Sequence, residues 1–442
     1  MRIIILGFVL LSGMGMTAAQ QTFSVEEATH YALGHHLKMV NAELDVRSAE
    51  KKVRETLGIG LPHVSAEGQF QNFLKIPTTV VPAKAFDPRA PDDALAELKF
   101  GTNYKVNAGA TLSQLVFNGS YLVGLQASKA FANTARIMKD KTMQEIRHDV
   151  SVAYYTVLMI QNNIGVIQEQ RKLTEKLLSD TKILIDEGMM EKTGNKQLEL
   201  TLLNFDDALT ALKGQEETAK VLLKFNMGYP IEKEIILKDD LDAKALEIRA
   251  LIPPENPSFA NTPDMRLLAN QAMLQSLNIK NVKAAYWPVV TAFLSYSSSA
   301  QRNKFDFFDK EGKWFPTSLW GVNLSIPIYN GGMNKAKMAQ AKIARAKVDN
   351  NCALMGQAYQ LRWSKAMAGF RQAVAAFDNK VKAVAIAEEV YHTAEIKYKE
   401  GMMSSIELDR ATMQLVKSKS DLMMARYKLV QAQNELNYIL DK

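Results

Sequence analysis

The chain has few of the residues that define several protein classes. Among its 442 residues there is one cysteine, Cys352, which excludes an internal disulfide, and no cluster of cysteine and histidine predicts a metal site. Glycine (23) and proline (13) are scarce, so collagen-like and linker-type chains are excluded. The net charge is +7 without the clustering of basic residues typical of nucleic-acid binding, so we expect no nucleic-acid partner.

Long hydrophobic runs are also missing. After the first 20 residues no segment reaches 18 consecutive apolar residues, whereas a transmembrane helix needs about 20. The first 19 residues contain Arg2, an apolar run of nine residues and a Thr-Ala-Ala sequence typical of a signal-peptide cleavage site. We predict that residues 1–19 are an export signal and that any membrane crossing by the remaining chain uses β-strands.

What the chain does contain is an internal duplication. The sequence LSQLVFNG at residues 112–119 resembles LSIPIYNG at residues 324–331, at an offset of 212 residues. The sequence EGMM at residues 187–190 recurs at residues 400–403, at an offset of 213. Matches at a nearly constant offset indicate homologous repeats. The predicted domains are the signal at residues 1–19, repeat 1 at 20–226, an inter-repeat linker or equatorial region at 227–262 and repeat 2 at 263–442.

Each repeat begins with a helical stretch and continues with two segments in which apolar and polar side chains alternate. The four segments lie near residues 62–75, 103–117, 288–301 and 317–329. Alternation with a period of two predicts strands, and their length suits a tilted transmembrane strand of about 9–11 residues. A half-buried sheet in a soluble sandwich would show the same alternation. In a barrel, the polar residues predicted to line the lumen are Ser65, Glu67, Gln69, Lys105, Asn107 and Thr111.

Aromatic residues cluster near the predicted strand ends. Tyr286 and Trp287 lie at one end, and Trp314, Phe315 and Trp320 at the other. Aromatic girdles at the two membrane interfaces have this pattern. Ordinary packing of loops would explain it as well.

A long helical segment follows the Asn-Gly pair of each repeat. Apolar residues recur at spacings of four and three along residues 146–167, and the returning segments have the same spacing. A hydrophobic repeat of 3.5 residues predicts supercoiled, closely packed helices. We predict helical hairpins over residues 118–226 and 330–440. Each hairpin turns at a Glu-Gly pair, at residues 187–188 and 400–401, because glycine suits the C-terminal end of a helix.

Four strands cannot close a barrel by themselves. In lipid they would leave two edges of unpaired backbone groups, each costing several kcal/mol. The sequence has no other strand-rich segment by this reading. We therefore predict that several copies of the chain share one barrel.

The order of signal, helix, strand pair and long helical hairpin, all duplicated, resembles the TolC family of outer-membrane efflux proteins. Residues 112–119 and 324–331 carry the resemblance, as does Gly401 followed by Ile406-Glu407-Leu408. The resemblance implies a mostly α-helical homotrimer with a shared transmembrane β-barrel. That barrel would have twelve strands in the outer membrane of a Gram-negative bacterium, above a twelve-helix tunnel in the periplasm.

The same resemblance implies a function. Such a trimer is the passive exit duct of a tripartite efflux system that exports small molecules, joined to a periplasmic adaptor protein and an inner-membrane pump. Two alternatives stay open: the outlet of a type I protein secretion system, and a periplasmic coiled-coil adaptor or scaffold.

The resemblance also suggests site residues near the hairpin tips. Glu407 falls on an acidic gate position of the family, Asp409 lies one residue from the next such position, and Arg410 occupies it. These three are candidates for the periplasmic constriction, although a helix start with capping charges would explain them equally well. The candidates for adaptor contact at the hairpin tips are Gly188, Met189, Gly401 and Met402.

We expect no enzymatic activity. The sequence contains no P-loop, no Gly-x-Gly-x-x-Gly, no Gly-x-Ser-x-Gly and no His-Glu-x-x-His. No nucleophile lies near an evident base. We therefore predict no catalytic residue, no cofactor and no bound metal, and assign the 21 methionines chiefly to core filling.

Overall fold

The computed structural model describes residues 21–187, 192–309 and 312–441. The predicted export signal and the tip residues Gly188 and Met189 lie outside these ranges. The helices are α1 (Val25–His35), α2 (Leu37–Gly58), α3 (Gly119–Asp186), α4 (Lys192–Met227), α5 (Leu241–Arg249), α6 (Pro263–Ala284), α7 (Met333–Lys399) and α8 (Ser405–Leu440). The strands are β1 (Gln21–Phe23), β2 (His63–Asn72), β3 (Thr78–Pro82), β4 (Leu95–Lys99), β5 (Tyr104–Asn118), β6 (Ile235–Leu237), β7 (Val289–Arg302) and β8 (Phe315–Ser325).

The chain forms two compact units. The described residues of the helical unit fall within Met1–Val46, Ala135–Ala269 and Asn351–Lys442. The sheet unit comprises the described residues of Arg47–Thr134 and Asn270–Asn350. Each predicted repeat contributes to both units, and the repeat boundaries themselves stay predictions.

The core of the helical unit is built by the residues that the 3.5-residue spacing selects. On α3 they are Ile146, Val150, Ala153, Val157, Ile160, Ile164 and Ile167, all buried. On α8 the buried seam runs from Leu408 to Ile439, and Leu429 is fully buried. The prediction of long, closely packed hairpin helices is confirmed.

One polar residue interrupts the seam of α4, and its partners explain how it is tolerated. Glu216 forms an ion pair with Lys220 at 2.7 Å and accepts a hydrogen bond from Gln161 Nε2 at 2.9 Å. Burial opposes the charge of Glu216, but these partners still hold its pKa below the usual value. The carboxylate therefore stays charged within the seam.

The N-terminal segment and the linker pack together in the helical unit. Strand β1 pairs in parallel with β6 of the linker, and the Tyr154 hydroxyl donates a hydrogen bond to the Phe23 carbonyl at 2.8 Å. Helix α5 of the linker is tied to α8 by Arg426 and Asp242 (2.5 Å) and to α7 by Arg249 and Asp378 (2.6 Å). The linker thus fixes the second hairpin at two points.

Among the residues that the structure describes, one helix is long and apolar enough to cross a membrane, by length and composition only. It lies within Gly119–Ile183, and half of its most apolar window is buried in the protein. The core helix of a soluble bundle has the same properties. The buried seam of α3 accounts for this composition.

The sheet unit contains a four-stranded antiparallel sheet of order β2-β5-β7-β8. The two strands of repeat 1 and the two of repeat 2 are therefore neighbours in one sheet, with β2 and β8 at its edges. Strand β8 ends at Ser325 rather than near residue 329, because Pro327 has no N–H to donate to a ladder. Pro316 is the second residue of β8, so the N–H that it lacks is missing only near the end of the ladder.

The sequence analysis found no strand-rich segment besides the four predicted strands, and the segment between β2 and β5 shows that this was wrong. Residues 78–99 contain the antiparallel pair β3–β4, in which Val80 faces Glu97 and Val81 faces Ala96. Residues 76–102 contain four prolines, but only Pro82 lies within a strand. It is the last residue of β3 and disturbs no further pairing. The loop between β7 and β8 has no such hairpin in its described residues.

The Asn-Gly pair joins strand to helix directly in repeat 1. Strand β5 ends at Asn118, and Asn118 Oδ1 accepts the Tyr121 N–H at 3.2 Å, which caps α3. A Cβ on Gly119 would lie 2.6 Å from the Trp287 ring, so only glycine fits there.

The corresponding pair has another role in repeat 2. There a connection from Ile326 to Gly332 separates β8 from α7. Gly331 and Gly332 have φ angles of +63° and +81°, in the left-handed region that glycine adopts without strain. The same motif therefore makes a direct junction in repeat 1 and a turn in repeat 2.

Candidate functional site

The register of the four-stranded sheet sorts its side chains onto two faces. One face is mainly apolar, and its rows across β2, β5, β7 and β8 are Val64–Leu112–Leu294–Trp320, Ala66–Ala110–Tyr296–Ser318 and Phe70–Val106–Ala300, the last without a β8 residue. The opposite face is mainly polar, with the rows His63–Ser113–Phe293–Gly321, Ser65–Thr111–Ser295–Leu319, Glu67–Gly109–Ser297–Thr317 and Gln69–Asn107–Ser299–Phe315. We call them the apolar face and the polar face.

Along the middle of the central strands β5 and β7 the exposure of the two faces is the reverse of that in a soluble sheet, whereas nearly all residues of β2 and β8 are exposed. On β5, Ala108, Ala110 and Leu112 of the apolar face are exposed, while Asn107 and Thr111 of the polar face are half-buried. Trp320 and Val64 of the apolar face expose 78% and 75% of their surface. A soluble protein would cover a contiguous apolar surface of this kind. The sheet is therefore built for apolar surroundings on one side and water on the other.

The six lumen candidates from the sequence share the polar face. Ser65 faces Thr111 and Gln69 faces Asn107, while Glu67 lies opposite Gly109, where no side chain stands. Lys105 lies further along, opposite Gln71. The Thr111 and Ser295 hydroxyls lie 3.1 Å apart and share a hydrogen bond across β5 and β7.

Repeat 2 supplies polar-face residues that were not among the candidates. They are Ser295, Ser297, Ser299, Thr317 and Asn323. Their alternation in residues 289–302 and 315–325 could have found them. Phe293, which interrupts the polar pattern, lies opposite Gly321, and a Cβ on that glycine would be 2.8 Å from the Phe293 ring. The ring thus covers the space that the missing side chain leaves.

Aromatic side chains occur at both ends of the sheet, but not all where the sequence placed them. At one end Trp287 stacks on Phe117, with ring centroids 6.2 Å apart. Trp320 lies in mid-strand opposite Leu294, and Phe315 lies on the polar face. Phe315 is thus at the strand end as predicted but on the polar face, and Trp320 is not at a strand end.

A separate aromatic cluster at the other end was missed. It comprises Phe70, Tyr104, Phe305, Phe307 and Phe308, with ring centroids 5.7–6.4 Å apart. Arg302 lies over the Phe307 ring at 5.2 Å and pairs with Asp306 at 3.1 Å. These residues are distant in sequence, so no local pattern indicates their contact.

The tip of the second hairpin is a turn followed by a capped helix. Gly401 has φ +72°, which ends α7 with the left-handed residue that glycine favours. Gly401 and Met402 are exposed. Ser404 caps α8: its Oγ accepts the Glu407 N–H at 3.3 Å, and Glu407 Oε2 accepts the Ser404 N–H at 3.1 Å.

The first gate candidate, Glu407, is part of this capping box. Glu407 is exposed, and the hydrogen bonds from the Ser404 backbone and hydroxyl, with the nearby charge of Arg410, hold its pKa below the usual value. Arg410 is exposed one turn further along α8. The capping role that the sequence left open is therefore present in the structure.

The second candidate ties the two hairpins together. Asp409 on α8 accepts hydrogen bonds from Thr201 Oγ1 (2.5 Å) and Gln197 Nε2 (3.2 Å), both on α4. Thr201 is buried and Asp409 is half-buried. Since the partners are more than 200 residues apart, no spacing in the sequence could have identified Thr201 and Gln197.

Within the described ranges, no group of three or more His, Cys, Asp or Glu side chains is placed to hold a metal ion. The candidate site is therefore a surface, the polar face of the sheet, together with the hairpin tip.

Known proteins are similar to this chain in sequence and in fold. The family described as outer membrane efflux protein matches residues 258–441, which cover repeat 2. The outer membrane efflux protein BepC of Brucella suis biovar 1 is 23% identical over 351 residues, covering 76% of this chain and 71% of BepC. The proteases secretion protein PrtF of Dickeya chrysanthemi is 21% identical over 307 residues, covering 60% of this chain and 64% of PrtF.

A solved structure extends the likeness to both repeats. The structure of CusC, described in terms of folding and transmembrane channel formation, matches with a TM-score of 0.74 and 16% identity, covering 94% of this chain and 91% of that one. The sheet, the hairpins and their duplicated order are thus those of a known channel fold. Repeat 2 of the chain therefore matches the outer membrane efflux protein family in sequence, and both repeats share the fold of a solved channel.

Proposed function

We propose that three copies of this chain form the exit duct of a tripartite efflux system, which passes small molecules out through the outer membrane. The observation that carries this proposal is the pattern along the central strands β5 and β7, where Leu112, Leu294 and Tyr296 of the apolar face are exposed and Thr111, Ser295 and Ser297 of the polar face are half-buried. Such a sheet is stable where lipid covers the first face and water the second.

The number of strands supports sharing between copies. In the described four-stranded sheet, β2 and β8 each have one neighbour, so each copy presents two open edges. Pairing β8 of one copy with β2 of the next satisfies both. Two copies would give eight strands, whose interior side chains fill the barrel, whereas twelve strands leave room for water. Three copies also agree with the family resemblance.

The duct itself is passive. It stabilises no transition state, and the polar face provides hydroxyl, amide and charged groups along which hydrated solutes move. The energy comes from an inner-membrane pump, joined by a periplasmic adaptor protein. We assign adaptor contact to the hairpin tips, at Gly401 and Met402 and at the equivalent Gly188 and Met189.

We also propose that Glu407 lines the periplasmic constriction, with Asp409 and Arg410 close to it. Three carboxylates around one axis attract cations and repel anions. Since Glu407 is held by Ser404, the ring would be fixed by the helix cap rather than by a flexible side chain. Glu407→Gln should lower the cation preference of single channels in a planar bilayer, with Glu400→Gln as the control at an exposed acid outside the α8 cap.

Assembly and membrane insertion test the main proposal. Full-length protein solubilised in mild detergent should have the mass of three copies plus detergent. It should remain in the outer-membrane fraction after washing with alkaline carbonate. A stable, folded single copy in detergent would overturn the shared barrel, and extraction by carbonate would favour the adaptor or scaffold alternative.

The likeness to PrtF, named for secretion of proteases, supports a second candidate, the outlet of a type I protein secretion system. The two candidates differ in the size of the cargo. Deletion of the gene should raise sensitivity to small toxic compounds under the first function. Under the second, it should instead abolish release of a secreted protein and leave sensitivity unchanged.

A further inference from the structure

The polar face is not uniform, and the difference follows the two repeats. At the positions of β2 and β5 that pair across the sheet, residues 63–71 and 105–113, all polar-face side chains are polar or absent. On β7 and β8 the same face carries Phe293, Leu319 and Phe315. We call these three residues the apolar strip.

The apolar strip runs along one edge of the sheet. Phe315, Leu319 and the Phe293–Gly321 pair follow one another along β8, and from Phe315 to Gly321 a strand extends about 20 Å. Phe315 and Leu319 expose 57% and 47% of their surface. The strip is therefore an accessible surface and not part of a core.

The glycine at the end of the strip leaves room for an aromatic ring. Because Gly321 has no side chain, the Phe293 ring reaches β8, with its Cε1 and Cζ atoms 2.8 Å from the position of a Cβ. An aromatic ring at this place can interact with another ring or with a cation.

The charge beside the strip selects the kind of ligand. The polar-face positions of the four strands carry one carboxylate, Glu67 on β2, and one ammonium, Lys105 on β5. When β8 of one copy pairs with β2 of the next, the strand that carries Glu67 is one strand spacing, about 4.8 Å, from β8. The strand that carries Lys105 is two spacings away. A solute on the strip thus has the strand of the carboxylate as its neighbour.

We propose that the apolar strip and Glu67 bind small organic cations that carry an aromatic ring, while these solutes pass through the barrel. This inference rests on the proposed function, since Glu67 adjoins the strip only in a shared barrel. The ring lies against Phe293, Leu319 and Phe315, and the positive group lies toward Glu67. Purely hydrophilic ions pass through the barrel without binding at this site.

Current block in a planar bilayer tests the inference with three simple probes. Benzyltrimethylammonium has the ring and the charge, tetramethylammonium lacks the ring, and benzenesulfonate has the opposite charge. Each is added to either side of the assembled full-length protein. We expect benzyltrimethylammonium to reach half-block at the lowest concentration.

Variants separate the contribution of the apolar strip from that of Glu67. Leu319→Ser, and the triple change Phe293→Ser, Phe315→Ser and Leu319→Ser, should raise the half-block concentration of benzyltrimethylammonium. The expected increase is roughly three- to tenfold, the size of one aromatic contact. Glu67→Gln should raise the values for both cations by about two- to fivefold. Ser318→Ala, on the same strand but the apolar face, is the matched control and should change neither.

The following outcomes contradict the inference. Equal half-block by the two cations, or no change in Leu319→Ser, overturns the strip even if the triple variant fails to assemble. A wild-type protein that conducts but shows no ring dependence contradicts this inference alone. A wild-type protein that forms no conducting assembly contradicts the proposed function and, with it, the proposed binding of cations at the strip.

Discussion

The two units place their apolar side chains in opposite ways. In the helical unit the seam residues of α3 and α8 are buried, and charged side chains such as Glu175 and Lys196 are exposed. In the sheet unit Leu294 and Trp320 are exposed, while Ser295 and Ser297 on the opposite face of β7 are half-buried. The same residue types therefore stabilise the two units only because the units have different surroundings, water for one and lipid for the other.

The largest expected effect concerns the buried seam. Leu429→Ala removes a fully buried side chain of α8 and should lower the free energy of unfolding by about 2–5 kcal/mol. Thermal unfolding followed by circular dichroism measures it. Leu203→Ala, at a residue 62% exposed on α4, is the control and should change little. Equal effects would show that the seam is not the core of this unit.

A charge on one face of β7 separates a lipid surface from a water surface. Leu294→Lys should impair insertion, because a lysine in the middle of a lipid-facing strand costs about 2–4 kcal/mol. Its neighbour Ser295, on the polar face, provides the matched change, and Ser295→Lys should insert normally. Outer-membrane fractionation measures both. A soluble sheet would accept Leu294→Lys, since the residue is already exposed.

A smaller effect is expected where Phe293 covers Gly321. Gly321→Ala places a methyl group against the ring and should cost about 1–3 kcal/mol, because the ring has to move. Combination with Phe293→Ala should recover most of this loss. Urea unfolding of the reconstituted protein compares the variants. No recovery in the double variant would mean that the ring is not the cause.

The tie between the hairpins should contribute less. Thr201→Val removes the hydroxyl that donates to Asp409 and keeps the shape of the side chain, at a cost of about 0.5–1.5 kcal/mol. Hydrogen exchange of the α8 amides near residue 409 should rise. Thr210→Val, at an exposed threonine of the same helix, should leave that exchange unchanged. Unchanged exchange in Thr201→Val would show that the tie does not hold α8.

The smallest effect depends on pH. The folded-state pKa of Glu407 lies below its usual value, so its contribution to stability is present above the unfolded pKa, near 4.5. It is lost as the pH falls through the lower folded value. Glu407→Gln should therefore reduce thermal stability at pH 7 and have no effect at strongly acidic pH. A difference from wild type that is the same at both pH values would contradict this account.

Periodic patterns in the sequence were enough to predict the long helices, the four strands of the main sheet and the two faces of that sheet. The spacing from Ile146 to Ile167 selects the buried side of α3, and alternation in β2 and β5 separates Val64 from Ser65 and Leu112 from Thr111. These patterns are local, since each element must bury or expose one side along its own length.

Contacts between distant residues could not be predicted in this way. Thr201 meets Asp409 and Phe70 meets Phe305 only after the repeats have come together. The β3–β4 hairpin has a different reason. Its strands are five residues each and contain a proline, so their pattern is too short to distinguish from a loop.

The two strand-to-helix junctions give the repeats unequal stiffness. Asn118 continues from β5 into the first turn of α3, so a twist of that helix acts on the strand without an intervening joint. Between β8 and α7, Gly331 and Gly332 can rotate at little cost and absorb such a twist. The junction of repeat 2 therefore has a freedom of the backbone that the junction of repeat 1 lacks.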